Sequence, residues 1–589
     1  MDLSLCSGIN AIIFIFSRAI SSSGQLVAGK EKNMAEDIKS GAKMDTENMG
    51  LKKHDLKVST VVFMIFSLVA AGAYGIESMI PESGPGLTLV LLMVLPFIWG
   101  LPFGLVASEL GSVRPQEGGY YKWVQEALGE FWGFQAGWWR TISIYIDNTL
   151  YVILAGGYLS SVWDIPGWGT FLFKAAMICF FTYINLRGVK DVGIVTSLIS
   201  VFTLCAFAMV AIVGFAHYQS SPFEPFFSYA PEGGADYVIL LGGGLSIGMW
   251  MYSGYESMST IAGEVKNPQV IPKATLITVP LIMATYIIPT SGALSALPGL
   301  WDQWGEDGAD VGYHTAPWEY IGPYAGMFFL LVAVVSQFSI YNTYIASGSR
   351  GFFALAEDNL APPVMVKVSK KKGVPYVAVL SVAAVNLILC NFAFSMVVVV
   401  DVFLLVSSYI LVYLSCMILR RRFPASEYEG KFKIPGGKGF LTVLCVVPIC
   451  VAFFSFMVNG TDYFIGGMIG IISGPILYYI WRHVYGGLTK KDPVAYPQNE
   501  RTGLAIGDTY RMAIMFLLLG IVGAVGRIFL PWYELYGEWE FPDDYDMTIF
   551  GSQEAMWTGI LIATVISFGI SIIMFLWGRA VEPKKENAA

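Results

Sequence analysis

The stretch Ala71-Gly72-Ala73-Tyr74-Gly75-Ile76-Glu77 lies in the middle of an apolar run and interrupts it with small and polar residues. A second stretch, Tyr252-Ser253-Gly254-Tyr255-Glu256, interrupts a later run in the same way. Lipid cannot hydrogen-bond a free peptide group, so a broken helix survives only where it faces protein or lines a wet cavity. Paired breaks at matching places in two halves of a chain point to the binding site of a secondary transporter. Four apolar segments separate the two, which makes them helices 1 and 6 of a pair of five-helix inverted repeats. A glycine-rich interruption alone is weak evidence, because small residues also mark close helix packing. Its recurrence, followed each time by an acid, makes it specific.

Composition places the rest of the chain in lipid. With 55% hydrophobic and only 14% charged residues, the 589-residue protein falls outside the range of soluble domains. Windows of about 20 apolar residues predict spans near 58–80, 87–108, 134–159, 169–184, 193–215, 237–261, 274–297, 324–348, 375–390, 396–419, 440–458 and 463–481. Two more, near 512–530 and 555–577, follow a polar stretch. The expected fold is an all-α membrane protein of about fourteen transmembrane spans with broken helices 1 and 6. The chain then divides into a tail at 1–56, a ten-helix transport core at 57–425 and spans 11 and 12 within 426–481. A linker at 482–510, spans 13 and 14 within 511–577 and a tail at 578–589 follow.

Lysine and arginine mark one side. Arg114, Lys122, Arg187, Lys190, Lys266, Lys273, Arg350, Lys367, Lys370, Lys371 and Lys372 fall in loops on that side, as do Arg420, Arg421, Arg422, Lys431, Lys433 and Lys438. The opposite loops, 160–168, 216–236, 298–323 and 531–553, have neither residue and are acidic. By the positive-inside rule the basic side is cytoplasmic, with both termini, and the expected location is the plasma membrane. Lys174 and Arg527 are exceptions, expected to snorkel to the outer interface.

Acids inside spans cost roughly 2.5–3.5 kcal/mol at mid-helix on insertion scales, so each is a functional candidate. Glu77 and Glu256 follow the two breaks, Asp147 lies in span 3 and Asp401 early in span 10. A buried acid can carry a proton, pair with a substrate ammonium, or do both in turn. For Asp147 the structural alternative is a partnership with Arg140, seven residues earlier on the same helix face. Glu77 can equally brace the restarted helix near its positive end. Asp401 reads as structural, near the outer end of its span. Unwound backbone adds amide groups for a carboxylate and carbonyl groups for a cation. The candidate substrate site is therefore Gly72, Ala73, Gly75, Asp147, Tyr252, Ser253, Gly254, Tyr255 and Glu256, with Glu77, Asp147 and Glu256 as proton carriers.

Several stretches resemble the amino acid–polyamine–organocation permeases. They are Tyr74-Gly75-Ile76-Glu77 through Gly84-Pro85-Gly86, Pro96-Phe97-Ile98-Trp99, Ala107-Ser108-Glu109-Leu110 and Pro115-Gln116-Glu117-Gly118-Gly119-Tyr120-Tyr121-Lys122-Trp123. Ile146-Asp147-Asn148-Thr149-Leu150-Tyr151, Gly263-Glu264-Val265-Lys266-Asn267-Pro268, Ser349-Arg350-Gly351 with Ala356-Glu357-Asp358, and Leu419-Arg420 through Pro424 complete the pattern. The Gly-Ile-Glu and Asp-Asn signatures look closest to the polyamine and broad amino-acid permeases. The resemblance implies inverted repeats, alternating access and proton-coupled uptake, with substrate between helices 1 and 6 and helices 3, 8 and 10 lining the cavity. Many amino-acid relatives carry a lysine in span 5 where Thr203 stands here, which argues against a lysine proton site and keeps sodium coupling open.

The expected function is uptake of amino acids or polyamines, with H+ as coupling ion or Na+ as the alternative. A neutral amino acid exchanger and a non-transporting membrane sensor of the same solutes are the competing readings. Nothing in the sequence suggests an enzyme, a cofactor, a metal cluster or a nucleic-acid partner. The seven cysteines show no redox or metal spacing.

Overall fold

The first helix, α1 (Val58–Val69), ends where Gly72 and Gly75 take φ of +123° and +92°. Side chains rarely adopt these angles, and a helix cannot continue through them. The chain resumes as a 3-10 turn, Ile76–Ser78, and a short helix α2 (Met79–Ser83). This computed structural model describes residues 57–70, 72–115, 118–163, 165–187, 192–255, 270–305, 311–369, 373–537 and 551–582. Ala71, Glu256, the N-terminal tail, the 263–268 motif and the acidic stretches within 306–310 and 538–550 lie outside the described residues.

Beyond α2 come α3 (Pro85–Val113), a short α4 (Gly119–Leu128), α5 (Glu130–Val162), α6 (Gly167–Arg187) and α7 (Val192–Ala216). Then follow α8 (Gly234–Met251), α9 (Val270–Ala296), a short α10 (Thr315–Tyr320), α11 (Pro323–Glu357) and α12 (Tyr376–Leu389). The last five are α13 (Phe394–Arg422), α14 (Gly437–Ser455), α15 (Thr461–Tyr485), α16 (Asp508–Tyr536) and α17 (Gln553–Val581). Extended pairing among the described residues is limited to isolated bridges. The protein is an all-α integral membrane protein.

Twelve of the described helices are long and apolar enough to cross a membrane. Two positions expected to span are shorter: α1, cut by the break, and α12, with 14 residues. Other helices outrun their apolar windows, because polar end turns continue beyond the hydrocarbon. α5 begins at Glu130 and α13 runs to Arg422.

Helices α5 and α13 form the buried centre, and α5 packs most extensively on α11 and α13. α17 instead turns Leu561, Ile562, Val565, Ile566, Ile572 and Ile573 outward as a lipid-facing surface. Pro475 inside α15 cannot donate to the carbonyl four residues back, and Trp139 Nε1 of α5 takes that Ile471 oxygen at 3.0 Å.

Loops expected to share a side do meet. On the basic face Arg420 of α13 grips Glu109 of α3, with Ile434 N adding a bond at 2.8 Å. Asp358 binds Lys122 and, at 2.9 Å, Lys491, while Glu130 takes Arg482 at 2.7 Å. On the acidic face Glu534 of α16 accepts the Thr461 amide that opens α15 at 2.7 Å, and Trp557 Nε1 of α17 at 2.9 Å. The last two helices are thus tied to α15 by one buried carboxylate.

The Lys174 ammonium donates to the Cys390 carbonyl at 3.0 Å, satisfying the end of α12. Asp401 is fully buried, two turns into α13, and accepts Ser143 Oγ of α5 at 2.6 Å.

Candidate substrate site

At the first break the carboxylate of Glu77 turns back on its own chain. Oε2 accepts the Gly75 amide at 3.0 Å, and Oε1 accepts the Tyr158 hydroxyl of α5 at 3.0 Å. Glu77 is fully buried and braces the unwound turn, while the Ala73 carbonyl accepts Ile76 N at 3.4 Å. Tyr74 stands in a group of rings with Phe207, Tyr158 and Phe329, centroids 5.0–6.1 Å apart, that covers this break.

The second break begins where α8 stops at Met251. Tyr252, at φ −103° and ψ 27°, caps it, and Gly254 takes φ +103°. Carbonyls left at the helix end find side-chain donors, as burial in lipid requires. Met249 O accepts Trp99 Nε1 at 3.0 Å and Ser253 Oγ at 2.7 Å, and Met251 O accepts the Tyr286 hydroxyl at 2.9 Å. The Gly254 amide donates to the Tyr409 hydroxyl at 3.2 Å. Tyr344 performs the same service for the end of α1, donating to Leu68 O at 3.1 Å.

The two breaks touch. A Cβ on Gly254 would lie 3.2 Å from Leu68 O, and one on Gly75 would lie 3.1 Å from the Trp250 ring. Beside this contact is a cavity of ≈ 10 Å³ lined by Val69, Arg140, Asp147, Tyr151, Trp250, Ser253, Gly254, Tyr344 and Leu405. That is room for about one water. Asp147, near the middle of α5 and 3% exposed, accepts Trp250 Nε1 at 2.9 Å. The Tyr151 ring lies 6.0 Å from Trp250 and 5.4 Å from Tyr344. Toward the basic face Phe103 stacks on Tyr409, with Trp99 and Tyr413 against the pair, so aromatic layers close both ends. The arrangement is occluded.

Of the residues picked from sequence, Asp147, Ser253 and Gly254 line this cavity, and Gly75 abuts Trp250 at its edge. Gly72 lies against Phe207 in the covering ring group. Tyr252 is committed to α3 through its hydroxyl on Leu92 O at 2.8 Å, and Tyr255 packs beside Gly100 and Gly104 of the same helix. Thr203 shares a 2.6 Å hydrogen bond with Ser336 of α11. Sequence reasoning weighed Arg140 only as a partner for Asp147 and quoted Tyr151 only within a motif, and it passed over Trp250, Tyr286, Tyr344 and Tyr409. Their signal was available: a tyrosine or tryptophan deep in a span must place its polar atom on a partner.

Membrane-crossing helices with two unwound stretches meeting beside a buried acid define a secondary transporter. The chain belongs to the amino acid permease family, whose model matches residues 56–476. It is 31% identical to the polyamine transporter RMV1 of Arabidopsis thaliana over 67% of this chain and 78% of that protein. It is 25% identical to the serine/threonine exchanger SteT of Bacillus subtilis (strain 168) over 74% of this chain and 98% of that one. Among solved structures, MhsT in complex with L-phenylalanine is similar at a TM-score of 0.49 and 15% identity, over 70% of this chain and 100% of that one.

Proposed function

We propose that this permease takes up polyamines and related cationic amines, coupled to protons, by alternating access. The basic face and both termini lie in the cytoplasm, and the membrane is the plasma membrane. The observation that carries the substrate class is Asp147 set among Trp250, Tyr151 and Tyr344. A carboxylate beside aromatic faces suits an ammonium group, which gains charge pairing and cation–π attraction together. An amino acid would need amide groups for its carboxylate as well. The Gly75 and Gly254 amides at the two breaks are already engaged by Glu77 and Tyr409. The name of the Arabidopsis relative, a polyamine transporter, supports the same class.

Glu77, Asp147 and Glu256 are the candidate proton carriers. The test is uptake of labelled putrescine and spermidine by purified protein in proteoliposomes, driven in turn by a proton and a sodium gradient. Accumulation that follows the proton gradient is expected, together with counterflow in its absence. Uptake of leucine or alanine that putrescine and spermidine fail to compete would overturn the amine preference. Absence of counterflow for every solute would favour a sensor.

A further inference from the structure

The linker that follows α15 crosses the end of α17 and is fastened to it. A helix leaves its last carbonyls without partners of its own, and two linker side chains serve those of α17. Asn499 Nδ2 donates to Val581 O at 3.1 Å, and Arg501 Nη1 to Ala580 O at 3.4 Å. Glu582, just past the helix, accepts the Gly507 amide at 3.1 Å. The same residues wall a cavity of ≈ 440 Å³, lined by 498–501 and Ile506 from the linker and by 579–582 at the end of α17. Its charged lining is mixed, with Arg501 and Arg579 beside Glu500 and Glu582. An anion alone would meet the carboxylates there, and a cation alone the guanidiniums. A ligand that carries both signs at a short spacing satisfies both. The neighbouring surface shows what such a ligand is attached to. Ile572, Phe575 and Leu576 precede Arg579 by seven, four and three residues, hence lie on its face of the helix, and each is about half exposed or more. An apolar stripe of a membrane-crossing helix thus runs up to the arginine.

We infer that this cavity binds the headgroup of an ethanolamine phospholipid whose acyl chains lie along the stripe. Arg501 and Arg579 hold the phosphate, which a guanidinium takes through paired N–H bonds. The primary ammonium donates to Glu500 and Glu582, the acids across the cavity. A choline headgroup has no N–H to donate, and a glycerol headgroup brings no cation to offset the acids. The site shares no lining residue with the cavity beside Asp147 and lies beyond residue 476, where the match to the permease family ends. It gives the last helix a lipid partner on the basic face, independent of which solute the core carries.

The test titrates the full chain, purified and stripped of lipid in detergent, with dioleoyl phosphatidylethanolamine, phosphatidylcholine and phosphatidylglycerol, and counts bound lipid by native mass spectrometry. The ethanolamine lipid should bind roughly tenfold more tightly than the other two, the scale of one hydrogen bond to a charged group. Arg579→Gln should weaken it by a similar factor. Glu500→Lys should turn the preference toward phosphatidylglycerol. Both side chains are exposed, so the variants should keep the wild-type melting temperature in lipid-free detergent. Equal affinity for the three lipids, or an ethanolamine preference that neither variant alters, overturns the inference. Glycerophosphoethanolamine, the same headgroup without acyl chains, should fail to compete at matched concentration. Full competition by it would assign the cavity to a soluble phosphoamine and overturn the lipid assignment.

Discussion

Trp250 gives Asp147 a fixed direction, because the indole N–H holds one carboxylate oxygen and leaves the group aimed into the cavity. Asp147→Asn keeps an acceptor for that indole but removes the charge. A hydrogen bond to a charged group contributes about 1.5–3 kcal/mol, so spermidine affinity should fall roughly 10- to 150-fold. The melting temperature should barely move. A thermal-shift titration with spermidine checks both, and unchanged affinity would remove Asp147 from the site. The same protein with Glu256→Gln separates the two jobs proposed for the second acid. A proton carrier predicts retained exchange without concentrative uptake, and a substrate ligand predicts loss of both.

At the scale of elements, the breaks are held open by neighbouring helices as much as by their own glycines. Tyr286 of α9, Tyr344 of α11, Tyr409 of α13 and Trp99 of α3 each meet a backbone group that unwinding released. Gly254→Ala forces a side chain into φ +103° and against Leu68 O. The left-handed angle alone costs roughly 1–2 kcal/mol, and the contact between α1 and α8 must also shift. Melting temperature and uptake should both fall. Gly233→Ala, at φ −151° with open space where its Cβ would sit, is the control and should change neither. Equal behaviour of the two variants would show that the close meeting of the breaks is dispensable.

For the whole molecule the two faces respond differently to acid. His314, buried on the acidic face, has its pKa lowered from 6.5 to about 4 because burial penalises the imidazolium. The unfolded chain takes that proton below pH 6.5 and the folded one only near 4, so stability falls as pH drops through this window. The slope is about 1.4 kcal/mol per pH unit. Asp358 on the basic face is opposed by burial, but Lys122 and Lys491 outweigh it and lower its pKa below 3.8. Its contribution is complete above that value and is lost only as pH falls further. The histidine's share is the difference between the melting curves of wild type and His314→Gln between pH 6.5 and 5, and the substitution should make the fall with acid shallower. A slope unchanged by the substitution would assign it elsewhere.

Hydropathy and the placement of lysine and arginine were enough for an all-α membrane protein and for the grouping of its loops, because lipid enforces both through solvation, residue by residue. The break at Ala73-Tyr74-Gly75 was legible for the same reason: small residues and a polar one inside an apolar run violate the rule that lipid imposes. Helix ends were legible only in part. α12 keeps to its window at 375–390, but α5 and α13 extend past theirs, since hydrogen bonding and packing fix where a helix stops. The polar partners were hidden as well. Asp401 takes its hydrogen bond from Ser143, 258 residues away in sequence. The carbonyl that Lys174 serves belongs to α12. Solvation acts on each residue where it stands, whereas a partner exists only once distant helices are brought side by side. Tertiary structure alone therefore decided that Arg140 and Asp147 share one cavity.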